Sequence, residues 1–111
     1  MIEHATRIVA IRHGQTAWNV ETRIQGHSDI GLNETGRRQA ERLALALADE
    51  RLDAVYASDL QRAVDTARAL AAGAGLAVHS DAALRERHFG IFEGLTFAEI
   101  ERRHPAESLR W

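Results

Sequence analysis

Three groups of charged residues in this chain have the types and spacing to do chemistry on an anion: Arg12-His13-Gly14, residues 58–62 ending in Arg62, and Arg85-Glu86. A neutral imidazole nitrogen is available near pH 7, so His13 can attack without the separate base that a serine would need. Arg12 and Arg62 offer planar forks that suit the oxygens of a phosphate, and phosphoryl transfer is catalysed chiefly by such positioning and electrostatic stabilisation. Glu86 is the carboxyl group available to protonate an expelled alkoxide, a task at pH 7 that calls for a raised pKa. Together the groups describe an anion site with a nucleophile and a proton donor.

The elements around them bring the three groups to one edge. Residues 7–11 (RIVAI) form a β-branched apolar run, the pattern of a strand buried in a parallel sheet. A helical turn is expected at 16–20 and a loop at 25–33. Asn33 then starts a helix whose apolar positions Ala40, Leu43, Ala44 and Leu47 share one face. A second strand is expected at 52–57, and Ser58 with Gln61 has the form of a capping box. The helix it opens has the face Leu60, Ala63, Val64, Ala67 and Ala71 and stops near Gly73 and Gly75. A weaker strand at 76–79, a polar loop at 85–94 and a short helix at 97–103, stopped by Pro105, complete the reading. Strand-helix alternation of this kind predicts an α/β fold with a parallel sheet, and ligands bind beyond the carboxyl ends of such strands. Arg12-His13, residues 58–62 and Arg85-Glu86 directly follow the three expected strands.

Composition narrows the alternatives. The 111 residues are 45% hydrophobic and 27% charged with one proline, a single globular domain with no mark of disorder. Fourteen basic against 16 acidic residues give no global field for nucleic acid or an anionic membrane, so anion binding must be local. The absence of cysteine removes thiolate chemistry and disulfides. Glu3, His4 and Arg7 interrupt the apolar N-terminus, and no run reaches the roughly 18 apolar residues of a membrane span, so a soluble, cytoplasmic protein is expected. His27 and Asp29 lie close in sequence but lack a further cluster to make a metal site, and neither metal nor cofactor is expected. Trp18 reads as a packing residue behind the loop that follows His13.

The run Arg12-His13-Gly14-Gln15-Thr16-Ala17-Trp18-Asn19, followed by Arg23-Ile24-Gln25-Gly26 and then Leu32 and Gly36, resembles the phosphate-binding signature of the histidine phosphatase family, which is phosphoglycerate mutase-like. Tyr56-Ala57-Ser58-Asp59-Leu60-Gln61-Arg62-Ala63 with Thr66-Ala67 resembles its second motif. Leu84-Arg85-Glu86 with Phe89-Gly90 and Glu93-Gly94 resembles its third. The resemblance implies a three-layer α/β/α fold with a mostly parallel sheet and a phosphohistidine on His13. It also implies Arg12 and Arg62 as phosphate ligands, Glu86 as general acid and base, and Asn19, Gln25 and Gly26 as further phosphate or substrate contacts.

By the same resemblance, residues 1–111 are a partial domain, because family members run longer and carry a second histidine in a C-terminal segment that this chain does not reach. None of His4, His27, His79, His88 and His104 sits in that context. A partial domain leaves a strand edge and helical faces uncovered, so association into homo-oligomers is expected. Where mutases of the family carry a serine- and tryptophan-containing loop, this chain has Gln25-Gly26-His27-Ser28-Asp29, which favours a phosphatase acting on a small phosphorylated metabolite. Mutase-type phosphoryl transfer and an inactive phosphate-binding fragment are the alternatives.

Overall fold

The computed structural model describes residues 5–111. Glu3 and His4, which break up the apolar N-terminus, lie outside the described residues. The order of elements is α1 (Ala17–Val20), α2 (Glu34–Ala46), β1 (Val55–Ala57), α3 (Gln61–Ala74), β2 (Val78–Ser80), α4 (Phe97–Arg103) and α5 (Pro105–Leu109), with single 3-10 turns at Ala82–Leu84 and Gly90–Phe92. β1 and β2 pair in parallel, Val55 opposite Val78 and Ala57 opposite Ser80, with α3 as the crossover between them. The chain is thus α/β with a parallel sheet, as its alternation of strand and helix patterns requires.

Helix limits follow local signals. The Asn33 side chain caps α2 by accepting from the Gly36 amide at 2.8 Å. Gly75, at φ +69, closes α3 in the left-handed conformation that costs a glycine little. α4 begins with a capping box, Thr96 with Glu99. Pro105 does more than end it. The residue opens α5 at a first-turn position, where its missing N–H has no intrahelical partner to lose.

α3 packs against α2 and against the sheet. Leu60, Ala67, Leu70 and Ala71 are buried along one side of it, with Ala40 from α2 and Ala57 from β1 also in the core. Burial of Leu60 and Leu70 contributes about 1.5–3 kcal/mol each. Trp18 lies against Gly94, where an added Cβ would stand 3.3 Å from its ring, so it packs on the segment around residue 94.

Two expectations are corrected. The run at 7–11 forms no strand, and Ile8 is 83% exposed. A doubly buried parallel strand needs a hydrogen-bonded neighbour and a helix layer on each face, and among the described residues the sheet consists of β1 and β2 alone. The capping box at Ser58 and Gln61 is also absent: Leu60 is the N-cap and provides no side-chain bond. Asp29 replaces it from a distant loop, accepting from the Gln61 amide at 2.7 Å, while the Ser58 hydroxyl accepts from Leu60 at 3.4 Å.

Candidate active site

His13 is half-buried, and its Nδ1 lies 2.6 Å from the carbonyl oxygen of Gly14. A carbonyl can only accept, so Nδ1 carries the proton and Nε2 keeps its lone pair. Burial lowers the imidazole pKa below its ordinary 6.5, and the charges of Arg62 and Arg12 push the same way. The Gly14 bond and the Glu86 carboxylate oppose them without reversing the sign. Burial therefore favours the neutral ring.

The backbone beneath it is closely held. The Gly14 amide donates to Thr66 Oγ1 at 3.0 Å, and that hydroxyl donates to the carbonyl of Arg62 at 2.7 Å. A Cβ on Gly36 would stand 2.1 Å from the Gln15 carbonyl, so the loop after His13 rests directly on the first turn of α2. Thr16, fully buried, caps α1 and receives the Asn19 amide, while the Thr16 amide donates to Asn19 Oδ1 at 2.9 Å.

Arg62 is 2% exposed, although it stands in the first turn of α3, where the helix dipole disfavours a cation. Two Nη groups donate to the carbonyls of Ser28 at 2.7 Å and Gly26 at 2.6 Å. One Nη also lies 3.6 Å from Glu86 Oε2. A buried guanidinium is tolerable only when so satisfied. Glu86 is half-exposed, and its carbonyl accepts from His27 Nε2 at 2.8 Å.

His13, Arg12 and Asn19 line a cleft of about 370 Å³ together with Gln15 and Gln39. Arg62 and Glu86 form a pair whose charges act on His13. Gln25 and Gly26 are engaged elsewhere. The buried Gln25 Oε1 accepts from Thr16 Oγ1 at 2.7 Å, and Gly26, at φ +52, presents its carbonyl to Arg62. His27 and Asp29 likewise part, one to Glu86 and one to the start of α3. No group of three or more metal-ligating side chains occurs among the described residues.

Sequence reasoning missed Glu93 as more than a motif residue. Its carboxylate accepts from the His27 amide (3.1 Å), the Phe89 amide (3.1 Å) and the Ser28 hydroxyl (2.8 Å). Burial alone would raise its pKa, but these bonds outweigh it and hold the group below the ordinary carboxylate range. Two of its three partners, His27 and Ser28, come from a separate loop, and the local Phe89 amide alone does not mark it in the sequence. Asp59 and Arg85, adjacent to the site residues, pair bidentately at 2.6 and 2.7 Å.

A buried guanidinium paired with a carboxylate, and a half-buried histidine that feels both charges, make a candidate active site on an α/β scaffold. The chain belongs to the histidine phosphatase superfamily, branch 1, whose family profile matches residues 8–111. It is 49% identical over 100 residues to phosphoglycerate mutase-like protein 4 of Arabidopsis thaliana, covering 88% of this chain and 44% of that protein. It is 45% identical over 107 residues to the glucosyl-3-phosphoglycerate phosphatase of Mycobacterium tuberculosis H37Rv, covering 96% and 48%. A mycobacterial glucosyl-3-phosphoglycerate phosphatase solved with VO3 has the same fold, with a TM-score of 0.82 at 44% identity over 89% of this chain and 47% of that one. The chain thus spans about half the length of these relatives. Among the described residues no helix is long and apolar enough to cross a membrane.

Proposed function

We propose that this chain carries the nucleophile half of a phosphomonoesterase that works through a phosphohistidine on His13. The observation that carries the reading is the tautomer: Nδ1 is bound to the Gly14 carbonyl, which leaves the Nε2 lone pair free on a ring that feels the charges of Arg62 and Glu86. In the first step Nε2 attacks phosphorus and the P–O ester bond breaks. The leaving alkoxide takes a proton from Glu86. In the second step water attacks phosphohistidine, gives its proton to Glu86, and releases phosphate and neutral His13. Arg12 and the remaining donors of Arg62 neutralise the equatorial oxygens, and the Asn19 amide nitrogen supplies a further contact. Gln25 and Gly26 serve by holding the loop that holds Arg62. No metal or cofactor enters either step.

The substrate class is a small phosphorylated metabolite, consistent with a relative named for glucosyl-3-phosphoglycerate and a structural neighbour that takes up VO3. The mutase-like relative keeps a second reading alive, in which phosphohistidine is returned to an organic acceptor instead of water. Hydrolysis of p-nitrophenyl phosphate by the chain, beside His13→Ala and across about pH 5 to 8, tests the proposal. Release that depends on His13 supports it. Binding of phosphate without release, in a folded chain, identifies an inactive phosphate-binding module instead, and transfer to an added alcohol in preference to water favours the mutase reading.

A further inference from the structure

Resting on that reading, we propose that Glu93 is the positioning residue of the site, a single carboxylate that sets both Arg62 and Glu86 without touching His13. Glu93 Oε2 accepts from the amides of His27 and Phe89, and Oε1 from the hydroxyl of Ser28. The segment it gathers supplies the carbonyls of Gly26 and Ser28 that receive the Arg62 fork. The same segment carries His27, whose ring donates to the backbone of Glu86. The Arg62 fork and the backbone of Glu86 are therefore both bound to one turn, residues 26–28, and Glu93 is the carboxylate that gathers that turn, while Asp29 ties the next residue to α3.

The fit around the carboxylate is close. Its side chain is 13% exposed, and a Cβ on Gly26 would stand 2.4 Å from Oε2, so the glycine is required for the approach. The amide of Gly94 donates to the Ile24 carbonyl at 2.8 Å and the Ile24 amide to the Leu95 carbonyl at 3.0 Å. These backbone bonds bring the two segments together, and the carboxylate fixes how the 26–28 turn faces Arg62. A carboxylate that merely tied down loop amides would alter stability and leave the anion site as it was. A positioning residue shifts anion affinity and kcat in a folded protein, because a displacement of about 1 Å costs on the order of 100-fold in rate.

The test uses the full chain with Glu93→Gln, Glu93→Ala and Ser28→Ala. The readouts are orthovanadate affinity, kcat and KM for p-nitrophenyl phosphate, and the Arg62 guanidinium signals in nitrogen-15 NMR. Glutamine keeps an acceptor for the two amides and turns a donor toward the Ser28 hydroxyl, so Glu93→Gln stays near the parent. Glu93→Ala, still melting cooperatively, loses about 100-fold in kcat, binds orthovanadate more weakly, and loses the slow exchange of the Arg62 Nη protons. Parent-like Arg62 signals and orthovanadate affinity in folded Glu93→Ala overturn the proposal, as does a glutamine variant as impaired as the alanine one. If Glu93→Ala does not fold, Ser28→Ala decides, with a smaller loss in the same direction expected and no change overturning it. A parent with no His13-dependent turnover or orthovanadate binding defeats the phosphatase reading alone, and the Arg62 signals then judge Glu93 by themselves.

Discussion

His13 Nδ1 donates to the carbonyl oxygen of its own neighbour, Gly14, across 2.6 Å, so the nucleophile's orientation and tautomer are set by backbone one residue away. Burial and the flanking arginines lower its pKa, so it titrates below 6.5 in the folded chain. Nitrogen-15 NMR should show Nε2 unprotonated at pH 7 and a midpoint below that of a free histidine. A midpoint above 6.5 would contradict the site geometry.

The sign for stability follows from linkage. Between the unfolded value of about 6.5 and the lower folded value, the unfolded chain binds more protons than the native one. Stability due to His13 is therefore present above about pH 6.5 and is lost as pH falls through that window. Further down, Asp59, lowered mainly by its bond to Arg85, and Glu99, lowered first by the Thr96 amide, add losses of the same sign. Urea midpoints should fall from pH 7 to 5 and again from pH 5 to 3, and His13→Gln should flatten only the first step.

One substitution should act with opposite signs at two helical glycines. At Gly73 in α3 a Cβ meets nothing within 4 Å, so Gly73→Ala should stabilise by about 0.5–1 kcal/mol through reduced chain entropy. At Gly36 in α2 the Cβ would stand 2.1 Å from the Gln15 carbonyl, which is backbone and cannot yield cheaply. Gly36→Ala should cost about 1–3 kcal/mol and disturb the loop after His13. Denaturant melts of the two variants give the comparison.

Features written into short stretches of sequence were legible: the Asn33 cap, the Gly75 stop, the amphipathic face of α3 and the short helix at 97–103. Each needs only residues within a turn or two. The run at 7–11 was misleading because strand formation depends on partners that periodicity does not supply. His13, Arg62 and Glu86 could be named from their chemistry and the order of their motifs, although the strand expected before His13 does not form. The support by Glu93, and the turning of Gln25 toward Thr16, could not, since those bonds join residues 66 and nine positions apart across loops.

The cap of α3 illustrates the same limit and can be tested. Asp29 accepts from the Gln61 amide at 2.7 Å, doing for α3 what Ser58 was expected to do. Asp29→Ala should therefore destabilise by about 0.5–2 kcal/mol, the usual cost of losing an N-cap. Glu34→Ala, at an exposed first-turn position paired with Arg38 on the surface, should cost under about 1 kcal/mol. Equal melts for the two variants would show that Asp29 does not cap α3.

Arg62 combines two duties that a single substitution can separate. Its fork satisfies the carbonyls of Gly26 and Ser28 inside the protein, and its charge lies near His13 and Glu86. Lysine keeps the charge but not the fork, and its point-like ammonium cannot serve both carbonyls in the same geometry. One buried carbonyl is then left unpaired, at about 1–3 kcal/mol. Arg62→Lys should lower the urea midpoint accordingly and weaken orthovanadate binding as the 26–28 turn relaxes. An Arg62 that only bound phosphate would show the second effect without the first. Measuring both on the same preparation therefore decides whether this buried guanidinium holds the loop as well as the anion.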